Sequence, residues 1–450
     1  MKVTRQVEIR IPTGLADTLR AAVNAGRDYE AAVFALASHA QVGQKALLLV
    51  RKVLPLAEAA YISTRDHGAK WRGGAMVPII NEALRDNLGI VIFHTHDQSG
   101  AVSLSNDDRR SAYELLAVFQ NLIPFRPHGS VVFGKDHAAG VVILPDQTAH
   151  IEDVKLRWIT KTIIDFDSGD THLSRDIEGP KYHRQKLLIG DRGQRNLRQA
   201  KVAVVGLGGG GSHVVQQLAH IGVGEIIGVD FDRAETTNRS RLIGIGWLDD
   251  VFKTLKTHIM ARMVRRINRA VQFTKVSHPI PDQRALDALK RADIIVGCLD
   301  TLHARADLQD ISWRYLIPYV DIGLLIQASD AGASIGGNVA TFIPGSFCAW
   351  CIEFLTEAKL LAETGGRPRS YFKGGSSQAQ VVSFNGVLAS QAVSEVLQLL
   401  TGFAPVSSDL TIKKFSGLDG TLEHWAVRKN QTCTNCQAAL SAGDTIWHRA

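Results

Sequence analysis

A chain of 450 residues is about three domain lengths at roughly 150 residues each, which predicts two to four domains. Hydrophobic residues make up 45% and charged residues 21%, a globular balance that can bury sizeable cores without disulfides. The net charge of +7 comes without a clustered Lys/Arg run, so it accommodates a nucleotide or an acidic protein and argues against nucleic-acid binding. No stretch approaches the roughly 18 consecutive apolar residues of a membrane span. The N-terminal segment Met1-Lys2-Val3-Thr4 lacks the apolar centre of a secretion signal. A cytoplasmic, reducing setting is expected, where the five cysteines serve as ligands or nucleophiles rather than disulfide partners.

In chain order, the apolar runs Ala31–Ala37, Lys45–Val53 and Ile90–Phe93 read as buried strands. Apolar residues from Ser111 to Leu122 fall at helical spacing, and Ser105-Asn106-Asp107-Asp108 before them has the form of a capping box. Val131–Phe133 and Val141–Leu144 add strands. Residues 1–150 thus form an α+β domain. Residues 151–180, polar and weakly periodic, suit a connector. Residues 181–450 alternate strand and helix: strand Lys201–Val205, helix Val214–Ile221, strand Glu225–Val229, helix Lys256–Asn268, then strands Ala292–Cys298 and Tyr319–Ile322. That alternation predicts a parallel, doubly wound sheet. The overall class is α/β.

His94 and His96 stand at alternate positions of an extended segment, Phe93-His94-Thr95-His96, so both imidazoles point to one side. An Asp at the following helix start would complete three ligands and leave a fourth position for water, the pattern of a catalytic zinc. Two polar strand-end histidines are the plainer reading. With Glu30 upstream and Ser105-x-x-Asp108 downstream, the set resembles the JAMM (JAB/MPN) metalloprotease family. That resemblance covers about residues 1–148 and implies zinc held by His94, His96 and Asp108, with Glu30 shuttling the proton of zinc-bound water and Ser105 stabilising the oxyanion. Two departures stand out. Asp97 replaces the family's proline, and Asp107 matches the His-to-Asp spacing while Asp108 matches Ser-x-x-Asp. Asp108 is preferred because Ser105 keeps its own place. Glu30 could also be a solvated strand-edge acid.

Val205-Gly206-Leu207-Gly208-Gly209-Gly210-Gly211-Ser212 follows a strand and opens a helix. Glycines there let backbone N–H groups approach phosphates, and Asp230 closes the next strand where an acid can bind ribose hydroxyls. A nicotinamide dehydrogenase and an ATP enzyme both fit these features. The following residues are more polar and cationic than hydride transfer needs: Asp230-Phe231-Asp232, Asn238-Arg239-Ser240-Arg241, Lys256, and Cys298-Leu299-Asp300 with Arg305. They suit an enzyme that neutralises a triphosphate and a developing acyl-adenylate. With Tyr182-His183-Arg184-Gln185 in front, the ensemble resembles the ThiF/MoeB/HesA family, with Arg239 where that family has Leu. The resemblance implies a Rossmann-like domain in which Gly206, Gly208, Gly209, Gly211, Asp230, Asp232, Asn238, Arg241 and Lys256 bind ATP. It also implies that Asp300 holds Mg2+, and that Arg184 reaches the ATP of the opposite subunit of a homodimer.

Cys348-Ala349-Trp350-Cys351 and Cys433-Thr434-Asn435-Cys436 are two Cys-x-x-Cys pairs, the spacing of a closed structural zinc site, and the ThiF/MoeB resemblance implies that it clamps the C-terminal tail. The fifth cysteine, Cys298, ends an apolar strand and reads as a buried inert thiol. The combined expectation is a zinc (iso)peptidase joined to an adenylating domain, both acting on the C-terminal tail of a ubiquitin-like or sulfur-carrier protein. A separate thiol acceptor or conjugating enzyme would take the product. The alternative is a peptide or small-molecule adenylating enzyme with a JAMM-like, non-catalytic binding module.

Overall fold

The computed structural model describes residues 6–23, 31–62, 70–95, 102–145, 149–166, 180–329, 332–365, 379–404 and 411–444. Glu30, His96 and Asp97 lie outside them. The described residues within 1–175, with 314–316 and 438–444, form one compact unit; those within 176–313 and 317–437 form a second. Among them, no helix is long and apolar enough to cross a membrane.

In chain order the first unit contains β1 (Gln6–Pro12), α1 (Leu15–Val23), β2 (Ala32–Val42), β3 (Lys45–Pro55), α2 (Val77–Asp86), β4 (Gly89–Thr95), α3 (Asn106–Leu122), β5 (His128–Phe133), β6 (Ala138–Ile143), β7 (Val154–Ile159) and β8 (Ile163–Phe166). Its eight strands form one mixed sheet in the order β6-β5-β4-β2-β3-β1-β7-β8. Alternate side chains supply two cores, as strand pleating requires. Val33, Ala35, Val91 and Phe93 pack with Leu19 of α1, while Phe34, Leu36, Ile90 and Ile92 pack with Ile79 of α2 and Leu116 and Phe119 of α3. Both faces are covered, so β2 and β4 read as unbroken apolar runs rather than alternating ones.

The stretch from 151, expected as a connector, instead supplies two strands of this sheet: β7 pairs in parallel with β1 and antiparallel with β8. Its charges, which disguise it, are paired with one another and with β1, Arg157 buried and Lys155 and Asp165 half-buried. Arg157 Nε contacts Asp165 Oδ1 at 2.5 Å, Lys155 Nζ contacts Asp165 Oδ2 at 2.7 Å, and Arg10 Nε contacts Glu8 Oε1 at 2.6 Å. Burial would raise the Glu8 carboxyl, but Arg157, Arg10 and Lys45 outweigh it and hold it well below the usual range.

The second unit contains α4 (His183–Gln199), β9 (Lys201–Val205), α5 (Gly209–Ile221), β10 (Glu225–Val229), α6 (Trp247–Val251), α7 (Lys256–Ile267), β11 (Gln272–Val276), α8 (Gln283–Leu289), β12 (Ile294–Gly297), α9 (Leu302–Tyr315), β13 (Tyr319–Ser329), β14 (Gly332–Phe342), α10 (Glu357–Thr364), α11 (Val382–Thr401), β15 (Thr411–Ser416), β16 (Thr421–Ala426) and α12 (Thr434–Ala439). The sheet order is β11-β10-β9-β12-β13-β14-β15-β16. Its first five strands are parallel in the Rossmann-like 3-2-1-4-5 arrangement. The expectation of a wholly parallel sheet fails at β14, β15 and β16, which pair antiparallel. Hairpin connections of two and four residues, not helical crossovers, join β13 to β14 and β15 to β16, and a hairpin can only be antiparallel.

One buried histidine gives the first unit a pH signature. His128 on β5 is fully buried; its Nδ1 accepts from the Ile90 N–H at 3.1 Å, and its Nε2 donates to the Ile123 carbonyl at 3.0 Å. Accepting at Nδ1 requires the neutral ring, and burial lowers its pKa from 6.5 to about 4 although the bond to Ile123 O opposes the shift. The unfolded chain therefore binds the extra proton first. The stabilisation is complete above pH 6.5 and is lost as pH falls towards 4, up to about 3 kcal/mol at 1.36 kcal/mol per unit. Denaturant titrations from pH 7 to pH 4 should show that loss in the wild type and a flatter profile in His128→Leu.

Candidate functional site

In a doubly wound sheet, ligands bind beyond the strand C-termini where the strand order reverses. Here that point lies between β9 and β12. The β9 chain turns through Gly206 at φ +85°, and an alanine Cβ there would lie 2.4 Å from the Cys298 carbonyl oxygen. A Cβ on Gly211 would lie 1.9 Å from the Gly206 oxygen. Only glycines permit this packing of loop, helix and β12. Gly208, by contrast, faces open space. The N–H groups of Gly209, Gly210 and Gly211 open α5 and have no partner within its own ladder, which makes the turn an anion cradle.

Asp230 anchors the cradle. Its Oδ2 accepts the Leu207 N–H at 2.7 Å and its Oδ1 accepts the Asp232 N–H at 2.8 Å. Each oxygen keeps a second lone pair for a ligand hydroxyl. Burial raises the Asp230 carboxyl, against the pull of Lys256. Lys256, the first residue of α7, contacts Asp232 Oδ2 at 2.6 Å and Asp230 Oδ2 at 3.7 Å. The structure thus brings Gly206, Asp230, Asp232 and Lys256 together. Asn238 is a turn residue, its Oδ1 accepting the Glu235 N–H at 3.1 Å. Arg239 pairs with Asp250 at 2.6 Å and caps the Trp247 carbonyl, which accounts for a charged residue in place of Leu. Arg241 is half-buried and donates to Thr237 O at 2.9 Å. Arg184, in the first turn of α4, and Asp300, beyond β12, are both exposed.

Beneath the loop that carries Asp300 is a cluster that sequence reasoning largely missed. Arg305 donates to Asp321 Oδ2 at 2.9 Å, to Leu299 O at 2.8 Å and to Ile322 O at 3.3 Å. Asp321 is fully buried and also receives the Tyr319 hydroxyl at 2.5 Å. An acid inside the apolar strand Tyr319-Val320-Asp321-Ile322 was the available signal, because a buried carboxylate needs a cation. Glu363 of α10 caps α9, accepting from Leu302 N at 2.6 Å, His303 N at 3.1 Å and His303 Nδ1 at 2.7 Å. Burial pushes the Cys298 thiol well above its ordinary pKa, Asp321 adding to it, so the thiol stays protonated.

The four remaining cysteines converge. Cys348, Cys351, Cys433 and Cys436 carry sulfurs within 4.8 Å of one another, with Cys348–Cys351 at 3.6 Å, Cys348–Cys433 at 3.7 Å and Cys351–Cys436 at 3.3 Å. These gaps far exceed a disulfide length of about 2.05 Å. Four thiolates about 2.3 Å from one tetrahedral ion stand about 3.8 Å apart, so the set fits a metal ion.

In the first unit His94 ends β4, and its Nε2 lies 3.5 Å from Asp108 Oδ1. Ser105 and Asp108 form the capping box of α3: Asp108 Oδ2 accepts Ser105 N at 2.8 Å and Ser105 Oγ at 2.6 Å, and Ser105 Oγ accepts Asp108 N at 3.0 Å. Burial opposes ionisation of Asp108, but the His94 and Ser105 bonds outweigh it and hold its pKa well below the usual range. Asp107 points instead to Arg110 at 2.7 Å and is largely exposed. Glu30 and His96 lie outside the described residues.

The ThiF family profile matches residues 182–436, and the chain belongs to that family. Similar proteins include a ubiquitin-like modifier-activating enzyme 5 of Dictyostelium discoideum, 25% identical over 53% of this chain and 62% of its own. The mouse adenylyltransferase and sulfurtransferase MOCS3 is 37% identical over 31% of this chain and 30% of its own. The Escherichia coli sulfur carrier protein ThiS adenylyltransferase is 25% identical over 58% of this chain and 96% of its own. The chain thus spans less than two thirds of the first two relatives.

Removing the Arg305 guanidinium should leave Asp321 buried and unpaired. Arg305→Met should destabilise the chain by about 3–5 kcal/mol, and Arg305→Met with Asp321→Leu should recover part of that. Urea denaturation of both variants checks this, and equal losses would contradict the pairing.

Proposed function

We propose that the second unit adenylates the C-terminal carboxylate of a ubiquitin-like or sulfur-carrier protein. The observation that carries this is the Gly206–Gly211 cradle with Asp230, Asp232 and Lys256 at its edge, in a chain of the ThiF family. A carboxylate oxygen attacks the α-phosphorus of ATP, the bond to the β-phosphate breaks, and pyrophosphate leaves. The N–H groups opening α5 face the phosphates, with Gly208 giving them room. Asp230 uses its free lone pairs for the ribose hydroxyls. Lys256 exchanges Asp232 for phosphate oxygens as charge builds, a stabilisation that matters most in the transition state. Arg241 joins it by leaving its single contact with Thr237 O, and Arg184 acts from a second copy in a homodimer. Asp300 holds Mg2+, which neutralises phosphate charge when bound. Gly206, Gly209, Gly211 and Asn238 shape the pocket rather than react.

The four-cysteine cluster holds a structural zinc. Its ligands come from segments 82 residues apart, from Cys351 to Cys433, so one ion closes a long loop.

The first unit is a JAMM-type zinc (iso)peptidase in which His94 and Asp108 hold the ion with His96. A zinc ion bound there would supply Lewis acidity for amide hydrolysis, while Glu30 would take the proton of the attacking water and Ser105 would face the oxyanion. What supports this reading is the approach of His94 to Asp108, not Asp107. One feature favours a second reading, a non-catalytic binding module beside a peptide or small-molecule adenylating domain: the Ser105 hydroxyl proton is already spent on Asp108.

Two measurements test these readings. ATP–pyrophosphate exchange should appear when a small protein ending in Gly-Gly is added, and Lys256→Ala should reduce it by about a hundredfold or more, as for loss of a transition-state donor. Exchange driven by free amino acids or short peptides alone would favour the alternative. Metal analysis should give two zinc ions per chain, falling to one in His94→Ala and to one in Cys433→Ser. A single ion indifferent to His94→Ala would defeat the peptidase reading.

A further inference from the structure

The connections entering β9, β10 and β11 enclose a cavity of about 310 Å³, within the range of small-ligand pockets, roughly 300–1,000 Å³. It lies at the strand N-termini, the opposite end from the glycine cradle. The five residues of β9 separate the two by about 16 Å at about 3.3 Å per residue. Its walls are the segment before α4 (Lys181, Tyr182), the last turn of α4 (Arg198), the turn between α5 and β10, and the turn between α7 and β11. Two lining side chains are cationic and none is acidic.

The polar groups of this cavity are unevenly satisfied. Asn268 spends its whole amide: Nδ2 donates to Tyr182 Oη at 2.8 Å and Ala219 O at 3.2 Å, while Oδ1 accepts from Lys181 Nζ at 3.4 Å and Ala270 N at 3.2 Å. Tyr182 Oη therefore acts as an acceptor, and its own proton has no acceptor among the described residues, although Tyr182 is only 7% exposed. An unmatched buried donor is costly and calls for a partner. Glycine at 222 is what admits the hydroxyl, since a Cβ there would lie 2.2 Å from it. Lys181 Nζ lies 4.7 Å over the Tyr182 ring, with one long bond to Asn268 for its three protons. Tyr182 and Lys181 thus offer donors from adjoining positions, and Arg198 adds a second positive charge.

We propose that this cavity binds a small carboxylate- or phosphate-bearing molecule, held by the Tyr182 hydroxyl and the Lys181 ammonium with Arg198 at its rim. Such a ligand supplies negative charge and acceptors only, which is what these walls lack. The site is independent of the adenylation proposed above.

Calorimetric titration of the full chain with inorganic phosphate, and separately with succinate, tests this. Binding of at least one anion at millimolar concentration or below is expected. Preference for phosphate marks a phosphorylated ligand, and preference for succinate a dicarboxylate. Lys181→Met and Tyr182→Phe should each weaken binding about tenfold, and Ala270→Phe should abolish it by filling the cavity. Lys181 and Ala270 are exposed, so these variants should keep the wild-type circular dichroism and thermal midpoint. Lys256→Ala removes a phosphate contact at the glycine cradle only, so the component of binding that Lys181→Met and Tyr182→Phe weaken should persist in it. Failure of both anions to bind at millimolar concentration overturns the proposal, as does binding that is lost in Lys256→Ala and kept in Lys181→Met.

Discussion

A buried charge underlies the glycine-loop end of the second unit. Asp321 sits on β13 with no exposure, and Arg305 answers it while also gripping the carbonyls of Leu299 and Ile322. A guanidinium is suited to this because its donors spread in a plane and its charge survives burial. The pair gains little net stability as a pair, since desolvating both ions offsets their attraction. What it gives is a fixed place for the segment Leu299–Asp300, with the Glu363 cap holding the start of α9 on its other side. The close contact of Gly206 with the Cys298 carbonyl then carries that rigidity to the glycine cradle. Two connections of the sheet and strand β13 are thereby referenced to one another through backbone carbonyls, which have little freedom to drift.

A comparable economy appears in the first unit. The Ser105–Asp108 capping box satisfies orphan N–H groups at the start of α3, and the same carboxylate reaches His94. One carboxyl oxygen serves the helix and the other faces the end of β4. That division explains why Asp108, rather than the exposed Asp107, is oriented towards the histidine. It also creates a tension for catalysis, because the hydroxyl that would steady an oxyanion is the one closing the box.

Much of this was legible in the sequence where local chemistry repeats globally. The Gly206–Gly211 run, the strand ending at Asp230 and the helix starting at Lys256 announced themselves, because glycine at a strand-to-helix turn leaves few alternatives. The two Cys-x-x-Cys pairs were equally plain. By contrast, Lys155 and Arg157 break the apolar pattern of β7 and give it the look of a connector, and only the fold reveals that Asp165 and Glu8 neutralise them. The antiparallel strands β14, β15 and β16 were hidden for another reason: pairing direction depends on which strand arrives next, not on composition. Arg239 stands in a cationic stretch whose charge suits a triphosphate, yet Asp250, eleven residues on, holds it. Charge at the right spacing marks a loop, and only partners decide whether the charge is available.

The fifth cysteine bears on what becomes of an acyl-adenylate. A thioester requires a thiolate, and thiolates form where cations or helix N-termini favour the anion. Cys298 has the opposite surroundings: burial disfavours the charge, and Asp321 disfavours it further. Arg305 does not reverse this, being committed to Asp321 and two carbonyls. The other four sulfurs face one another, and a cysteine that binds a metal cannot also act as a free nucleophile. On the adenylation reading, the described residues therefore offer no thiol to receive the acyl group. The activated carbonyl would have to meet a nucleophile carried by another molecule, a sulfur donor or a conjugating thiol. The nucleotide end of the second unit would then hold a mixed anhydride until that partner arrives, which makes exclusion of water there as important as the formation of the anhydride itself.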